Sequence, residues 1–317
     1  MNFEGPVCGM TWGWVGVHDE WNSQSAQESL EALSRINVNW VTIAFQALQD
    51  TPQSTTIDYR DASLVNDEDV TKAIRQAKSL GLRVCLKPVV NCRNGSWRGF
   101  ISFFDEDVPG EPTWGDWFDS YREYLVHYAK IAEREEVELF CVGCELVMTD
   151  KQDSHWRATI AKVRKHYSGP ITYNCDKYQE NRLGWWDAVD VISSSGYYPL
   201  GQWDEQLARI EKVVKKYQKP FLFLEAGCPS RTTSPARPND WTMEGPADGE
   251  AQLRFYGEML SAFERPWILG FMLWDWPASL YPLGEAEKNR DYCIYGKPAE
   301  KLTASIFSQV QEGSKVK

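Results

Sequence analysis

Two glutamates occupy corresponding places in two apolar runs. Glu138-Leu-Phe-Cys-Val-Gly-Cys-Glu-Leu-Val-Met148 stays β-branched and aromatic until it reaches Glu145, and Lys219-Pro-Phe-Leu-Phe-Leu-Glu-Ala-Gly227 repeats the arrangement with Glu225. A buried, unpaired carboxylate is costly, so two strands that each end on one predict a paired-carboxylate site. Cleavage of a glycosidic bond needs such a pair, one as acid and one as nucleophile or base, with flat aromatic floors for the sugar rings. The chain has the floors in excess: 15 tryptophans within 13% aromatic residues. Some of these must be core, and amphipathic rings facing a cleft are an outlet for the rest.

The glutamates need elements that bring them together, and the rest of the chain supplies a regular alternation. Strand-like runs fall at 8–16, 38–45, 82–89, 138–148, 170–174, 189–198, 219–225 and 267–274. Helical patterns fall at about 66–81, 113–135, 153–167, 204–217, 248–263 and 298–310, with a short helix or turn near 183–186. A first helix opens on a capping box at Ser25 and Glu28, and 312–317 reads as a frayed tail. Eight strands alternating with helices, without a Gly-rich dinucleotide fingerprint, predict a single (β/α)8 TIM barrel over the whole chain. The aromatic stripe from Tyr121 to Ile131 belongs to the core.

Active groups in such barrels sit at the C-terminal ends of strands. That rim carries Trp12 and Trp14, Gln46, Lys87 and Asn91, Glu145, Asn174 and Asp176, Tyr197 and Tyr198, Glu225, and Trp274, Asp275 and Trp276. Strands four and seven lie across the mouth from one another, so Glu145 and Glu225 are expected within the roughly 5–5.5 Å of a retaining enzyme. Glu145 would then carry a proton where Glu225 does not. Lys87 is expected to contact ligand or to form an ion pair, because an inward lysine needs a partner. Trp274 and Trp276 share a face under strand alternation, which places one of them beneath a sugar and turns Asp275 away toward a structural salt bridge. Trp12, Trp14, Trp97 and Trp241 are candidates for further subsites, and Trp97 with Arg98 for substrate contact. The loop 228–247 is too long for an ordinary connection.

Other chemistries lack their parts. Cys141 and Cys144, three apart on a strand, should point to opposite faces and cannot chelate one ion; no metal and no cofactor is expected. A formal charge of −11 disfavours nucleic acid and anionic membranes as partners. Composition is globular, 43% hydrophobic and 25% charged, with no run of membrane-spanning length. Eight cysteines are no disulfide framework in 317 residues, and Met1-Asn-Phe-Glu-Gly-Pro6 lacks the basic and apolar regions of a leader, so a reducing cytoplasm is expected.

Leu86-Lys-Pro88, Trp97-Arg-Gly99, Gly143-Cys-Glu-Leu146, Gly196-Tyr-Tyr-Pro199, Leu273-Trp-Asp-Trp276 and Gly296-Lys-Pro-Ala299 together resemble glycoside hydrolase family 113 of clan A, a family of β-1,4-mannanases. The resemblance spans almost the whole chain. It implies that Glu145 is the general acid/base and Glu225 the nucleophile, that Tyr197 or Tyr198 hydrogen-bonds the nucleophile, and that Trp274 floors the sugar site. It implies a β-1,4-linked mannan or manno-oligosaccharide as substrate. Many clan members have Asn just before the acid/base, where the sugar 2-hydroxyl binds; here that residue is Cys144. The expected activity is a retaining endo-β-1,4-mannanase. A β-xylanase, a β-galactanase, or a barrel that binds oligosaccharides without cleaving them are the alternatives.

Overall fold

Strand runs that are apolar on both faces can only be buried between two layers, and this is what the chain builds. The structure, a computed structural model, describes residue 3, residues 5–242 and residues 244–314. Strands β1 (Val7–Trp12), β2 (Trp40–Gln49), β3 (Arg83–Cys92) and β4 (Leu139–Cys144) pair in parallel. They continue through β5 (Ile171–Cys175), β6 (Val191–Ser195), β7 (Phe221–Ala226) and β8 (Ile268–Trp276), and β8 closes on β1. The result is the (β/α)8 barrel expected. Val7, Trp40, Cys85, Leu139, Cys141, Leu224 and Met272 fill the interior. Gly9 makes room for them, since a Cβ there would stand 2.1 Å from the Met272 sulfur.

The helices are α1 (Gln24–Ser34), α2 (Asp67–Ser79), α3 (Trp114–Arg134), α4 (Asp153–Val163), α5 (Trp203–Tyr217), α6 (Gly249–Leu260) and α7 (Pro298–Ser314). Their starts follow side-chain chemistry: Asn66 and Thr113 close capping boxes with Asp69 and Asp116, and Asp248 caps α6. The first helix departs from expectation. Its cap is Ser23, whose extended backbone lets Oγ accept from the Ala26 amide, while Ser25 lies inside the helix and shares a hydrogen bond with Ser23. The final helix runs through residues 312–314, and residues 315–317 lie outside the described residues.

Between β5 and β6 the described residues form only a short turn at Trp186–Ala188 where an α-helix would complete the layer. Trp185 and Trp186, both fully buried, fill the gap, and Trp185 stacks on Trp156 of α4 at 4.9 Å. Large aromatic area stands in for a helix.

Strand pairing is irregular near the C-terminal ends: between Met10 and Trp12 against β8, Cys141 and Cys144 against β5, Ser194 and Ser195 against β7, and Phe223 and Ala226 against β8. Such irregularities re-aim side chains and cluster beside functional sites. Glu145, immediately after β4, has a left-handed backbone with φ of 52°. No helix among the described residues is long and apolar enough to cross a membrane.

Candidate active site

Glu145 and Glu225 line one cleft of about 800 Å³ at the C-terminal mouth, with Trp14, Trp97, Arg98, Asp176, Tyr197, Trp241 and Trp274. Glu145 is nine-tenths buried and Glu225 more so. Each has both carboxylate oxygens engaged. Glu145 accepts from Ser195 Oγ at 2.7 Å on one oxygen and from Arg98 Nη2 at 2.9 Å on the other. Glu225 accepts from Lys87 Nζ and, at 3.3 Å, from the Cys144 thiol on one oxygen, and from the Tyr197 hydroxyl at 3.0 Å on the other.

The donors are themselves connected. Lys87 Nζ also donates to Asn174 Oδ1 at 3.0 Å, and Asn174 Nδ2 donates to Ser195 Oγ at 3.0 Å. On the opposite side Arg98 Nη2 reaches the Cys144 sulfur at 3.4 Å, and its Nε donates to the Cys144 carbonyl at 3.0 Å. Glu225, Lys87, Asn174, Ser195, Glu145, Arg98 and Cys144 therefore form a closed ring of hydrogen bonds. Burial of this degree demands it, since an unsatisfied charge here would carry the full desolvation cost.

The electrostatics of the ring are one-sided. Burial alone would push the Glu225 carboxyl up, but the Lys87 and Arg98 cations and the hydrogen bonds from Lys87 and Cys144 outweigh it and hold it below the ordinary value. Burial works against the Lys87 ammonium, and the charge and hydrogen bond of the Glu225 carboxylate overcome that and raise it. Burial raises the Cys144 thiol well above its usual range, so it is present as S–H and can donate. Asp176, poorly hydrated and facing the Glu145 charge, is pushed up to about 7.

Aromatic rings make the walls. Trp14 and Trp274 pack at 5.6 Å, Trp241 meets Trp274 edge to face at 6.4 Å, and Tyr292 lies against both Trp241 and Tyr197. Trp97 lies flat over Gly99, where a Cβ would approach its ring to 2.5 Å. Only glycine allows that approach.

The sequence-based expectations divide accordingly. Glu145, Glu225, Trp14, Trp97, Tyr197, Trp241 and Trp274 meet in the cleft. Lys87 is there as an ion-pair partner of Glu225, with no exposed surface to offer a ligand. Asn174 is likewise fully buried beneath the carboxylates and positions them. Asn91 lines an adjoining pocket, where its side chain joins Gln46 to Arg98. Three candidates face the helix layer instead. Trp12 packs on Trp21 and donates to Ser29 Oγ; Tyr198 donates to the buried Glu180 at 2.6 Å; Trp276 donates to the Ser29 carbonyl.

Tyr198 follows the cleft-facing Tyr197 and points the other way by ordinary alternation; for the two tryptophans the reason is broken alternation. Trp12 pairs with Trp276 across a register shift, so Trp274 and Trp276 do not share a face. Asp275 makes no salt bridge among the described residues; it sits amid Asp291 and Glu225, and burial with those charges pushes it up to about 7. Cys141 and Cys144 do not face opposite ways: Cys141 fills the barrel interior while Cys144, after its own shift, touches Glu225. Arg98, expected to contact substrate, holds Glu145. Ser195 was not foreseen at all, although a Ser-Ser-Ser run inside an apolar strand was the available signal.

A parallel barrel whose C-terminal mouth presents two buried carboxylates under tryptophan walls has the layout of a glycoside hydrolase. The chain belongs to glycoside hydrolase family 113, whose family model matches residues 10–297. It is similar to a family 113 β-1,4-mannanase solved as a complex, at 49% identity over 96% of this chain and 99% of that one, with a TM-score of 0.94. It is also similar to a family 113 β-mannanase of Alicyclobacillus acidocaldarius in complex with ManMIm, at 44% identity over 96% and 98% of the two chains, TM-score 0.94. A β-D-glucuronidase for Dictyoglomus thermophilum, 15% identical with a TM-score of 0.63, shares the barrel fold. The comparison with curated proteins gave no match.

Proposed function

We propose that the protein is a retaining endo-β-1,4-mannanase that acts by double displacement, with Glu225 as nucleophile and Glu145 as general acid/base. The observation that carries the roles is the unequal treatment of the two carboxylates. Glu225 receives a buried ammonium, a thiol and a phenol, all of which favour a standing negative charge. Glu145 receives one guanidinium and one serine hydroxyl, and lies beside Asp176. Mannan as substrate rests on the likeness to the two family 113 mannanases.

In the first step a Glu225 oxygen attacks the anomeric carbon while Glu145 gives its proton to the leaving glycosidic oxygen. The charge leaving Glu225 relaxes its hold on Lys87 and Tyr197, which is why both donors are placed to recover it in the second step. Water then attacks the glycosyl-enzyme with Glu145 as base, and Glu225 departs as carboxylate. Trp274 and Trp14 form the floor and wall on which the reacting sugar lies.

Hydrolysis of mannohexaose and xylohexaose, followed by chromatography, tests the substrate; xylose products alone would overturn the mannan assignment. Proton NMR of fresh products tests the stereochemistry, with β-anomers expected first and α-anomers refuting retention. Glu145→Ala should be rescued by azide to give the β-glycosyl azide. Rescue of Glu225→Ala to the α-azide is expected as its complement, and the reverse pattern would exchange the two roles.

A further inference from the structure

The exposed large apolar side chains of this protein are not scattered. Among the described residues they are Val17, Trp97, Phe100, Phe104, Val108, Met148, Tyr178, Leu200, Trp241 and Leu283. Every one follows the C-terminal end of a strand, and none lies on a helix of the outer layer or on a segment returning to the barrel. Single exposed apolar residues need no explanation, but confinement to one end of the molecule does. Four of the ten belong to the connection between β3 and α3, where Phe100 is 58% and Phe104 59% exposed.

We propose that Phe100 and Phe104 form a binding platform outside the cleft for further units of a neutral β-linked glycan chain, extending the sugar track that begins on Trp97. The proposal rests on the mannanase reading and adds to it where a long substrate is held. Continuity with the cleft is direct: Trp97 lines it, and Phe100 packs perpendicular to Trp97 at 5.4 Å, so that the two rings cannot cover one another's faces fully. One face of Trp97 lies on Gly99, and the ring keeps 38% of its surface exposed in the cleft.

The segment is fixed in this pose. Ile101 is fully buried, Phe103 packs against Trp114 at 5.2 Å, and Asp105 pairs with Lys151 at 2.7 Å, tying the loop to the one that follows β4. The packed Ile101 and Phe103 lie between the exposed Phe100 and Phe104, so the exposed rings are presented by an anchored backbone. The chemistry of the occupant follows from the charge around it: Asp105, Glu106, Asp107 and Glu111 on the same loop repel an anionic chain, whereas a neutral glycan offers apolar C–H faces to the rings and hydroxyls to the carboxylates.

The test compares Phe100→Ala and Phe100→Ala/Phe104→Ala with the parent enzyme on mannotriose and on mannohexaose. Both residues are surface-exposed, so folding is unaffected. The expected result is a KM for mannohexaose raised roughly three- to tenfold, with KM for mannotriose and both kcat values within about twofold. An unchanged ratio of the two KM values would overturn the platform while leaving the mannanase reading intact. Parent enzyme that cleaves neither chain would overturn both.

Discussion

Lys87 offers the most direct test of the reasoning about the carboxylates. Its side chain has no exposed surface, and it donates to Glu225 and to Asn174. Lys87→Met keeps most of the volume and removes the charge. Leaving one member of a buried ion pair costs about 3–5 kcal/mol. At about 1.36 kcal/mol per pKa unit this equals roughly two to four units, and protonation of Glu225 is the cheaper escape. The carboxyl, held low in the parent by Lys87 and Arg98 against burial, should then titrate well above its parent value, with Arg98 alone left to oppose burial.

The sign is defined. In the parent, a depressed Glu225 contributes stability above its unfolded pKa that is lost as pH falls through the folded value; in the variant the protonated form is favoured and the cost appears as pH rises. The acid limb of kcat/KM should move upward by up to about two to four units, the rate loss being largest at the acid end and shrinking as pH rises. Initial rates on mannotetraose from about pH 5 to about pH 9, with a thermal melt at each pH, measure both effects. An acid limb at the parent's pH would refute the account of the pair, whatever the drop in rate.

Three further outcomes are expected. Tyr197→Phe removes the phenol from one Glu225 oxygen at a contact of 3.0 Å; a hydrogen bond to a charged group contributes about 1.5–3 kcal/mol, so kcat should fall roughly 10- to 100-fold, and a change under threefold would contradict this. Arg98→Met strands the Glu145 carboxylate, the Cys144 carbonyl and the Asn91 side chain together, so kcat/KM on mannotetraose should fall at least about tenfold; a value within twofold of the parent would remove Arg98 from the ring. Asp275, pushed up to about 7 by burial and by Asp291, destabilises the fold increasingly as pH climbs from the unfolded carboxylate value toward 7, so Asp275→Asn should raise the melting temperature more at pH 8 than at pH 5, the difference being equivalent to about 2–3 kcal/mol. Equal shifts at both pH values would show that its charge is not the cause.

The barrel and its two glutamates were legible because they rest on repetition: apolar strand, helix, apolar strand, with a carboxylate where an apolar residue would have served. What failed to read through was orientation at the strand ends. Position at a strand end assigned Trp12 and Tyr198 to the cleft, and alternation by twos assigned Trp274 and Trp276 to one face; the structure turns Trp12, Tyr198 and Trp276 to the helix layer. A register shift in β4 brought Cys144 to Glu225, which counting along the strand forbade. The β5–β6 connection reads as a short helix or turn, and the chain makes a short turn there; that tryptophan bulk fills the layer beside it has no signature in the spacing. Partners from distant segments, such as Ser195 for Glu145 or Arg98 for Cys144, depend on three-dimensional closure of the barrel and leave no local pattern.

Glu145 holds a backbone shape, φ of 52°, that suits glycine far better than any residue with a Cβ. A left-handed residue of this kind costs about 1–2 kcal/mol. Replacement by glycine would release that tension but leave the Arg98 guanidinium and the Ser195 hydroxyl without the carboxylate they hold, so the hydrogen-bond ring is what keeps the strained residue in place.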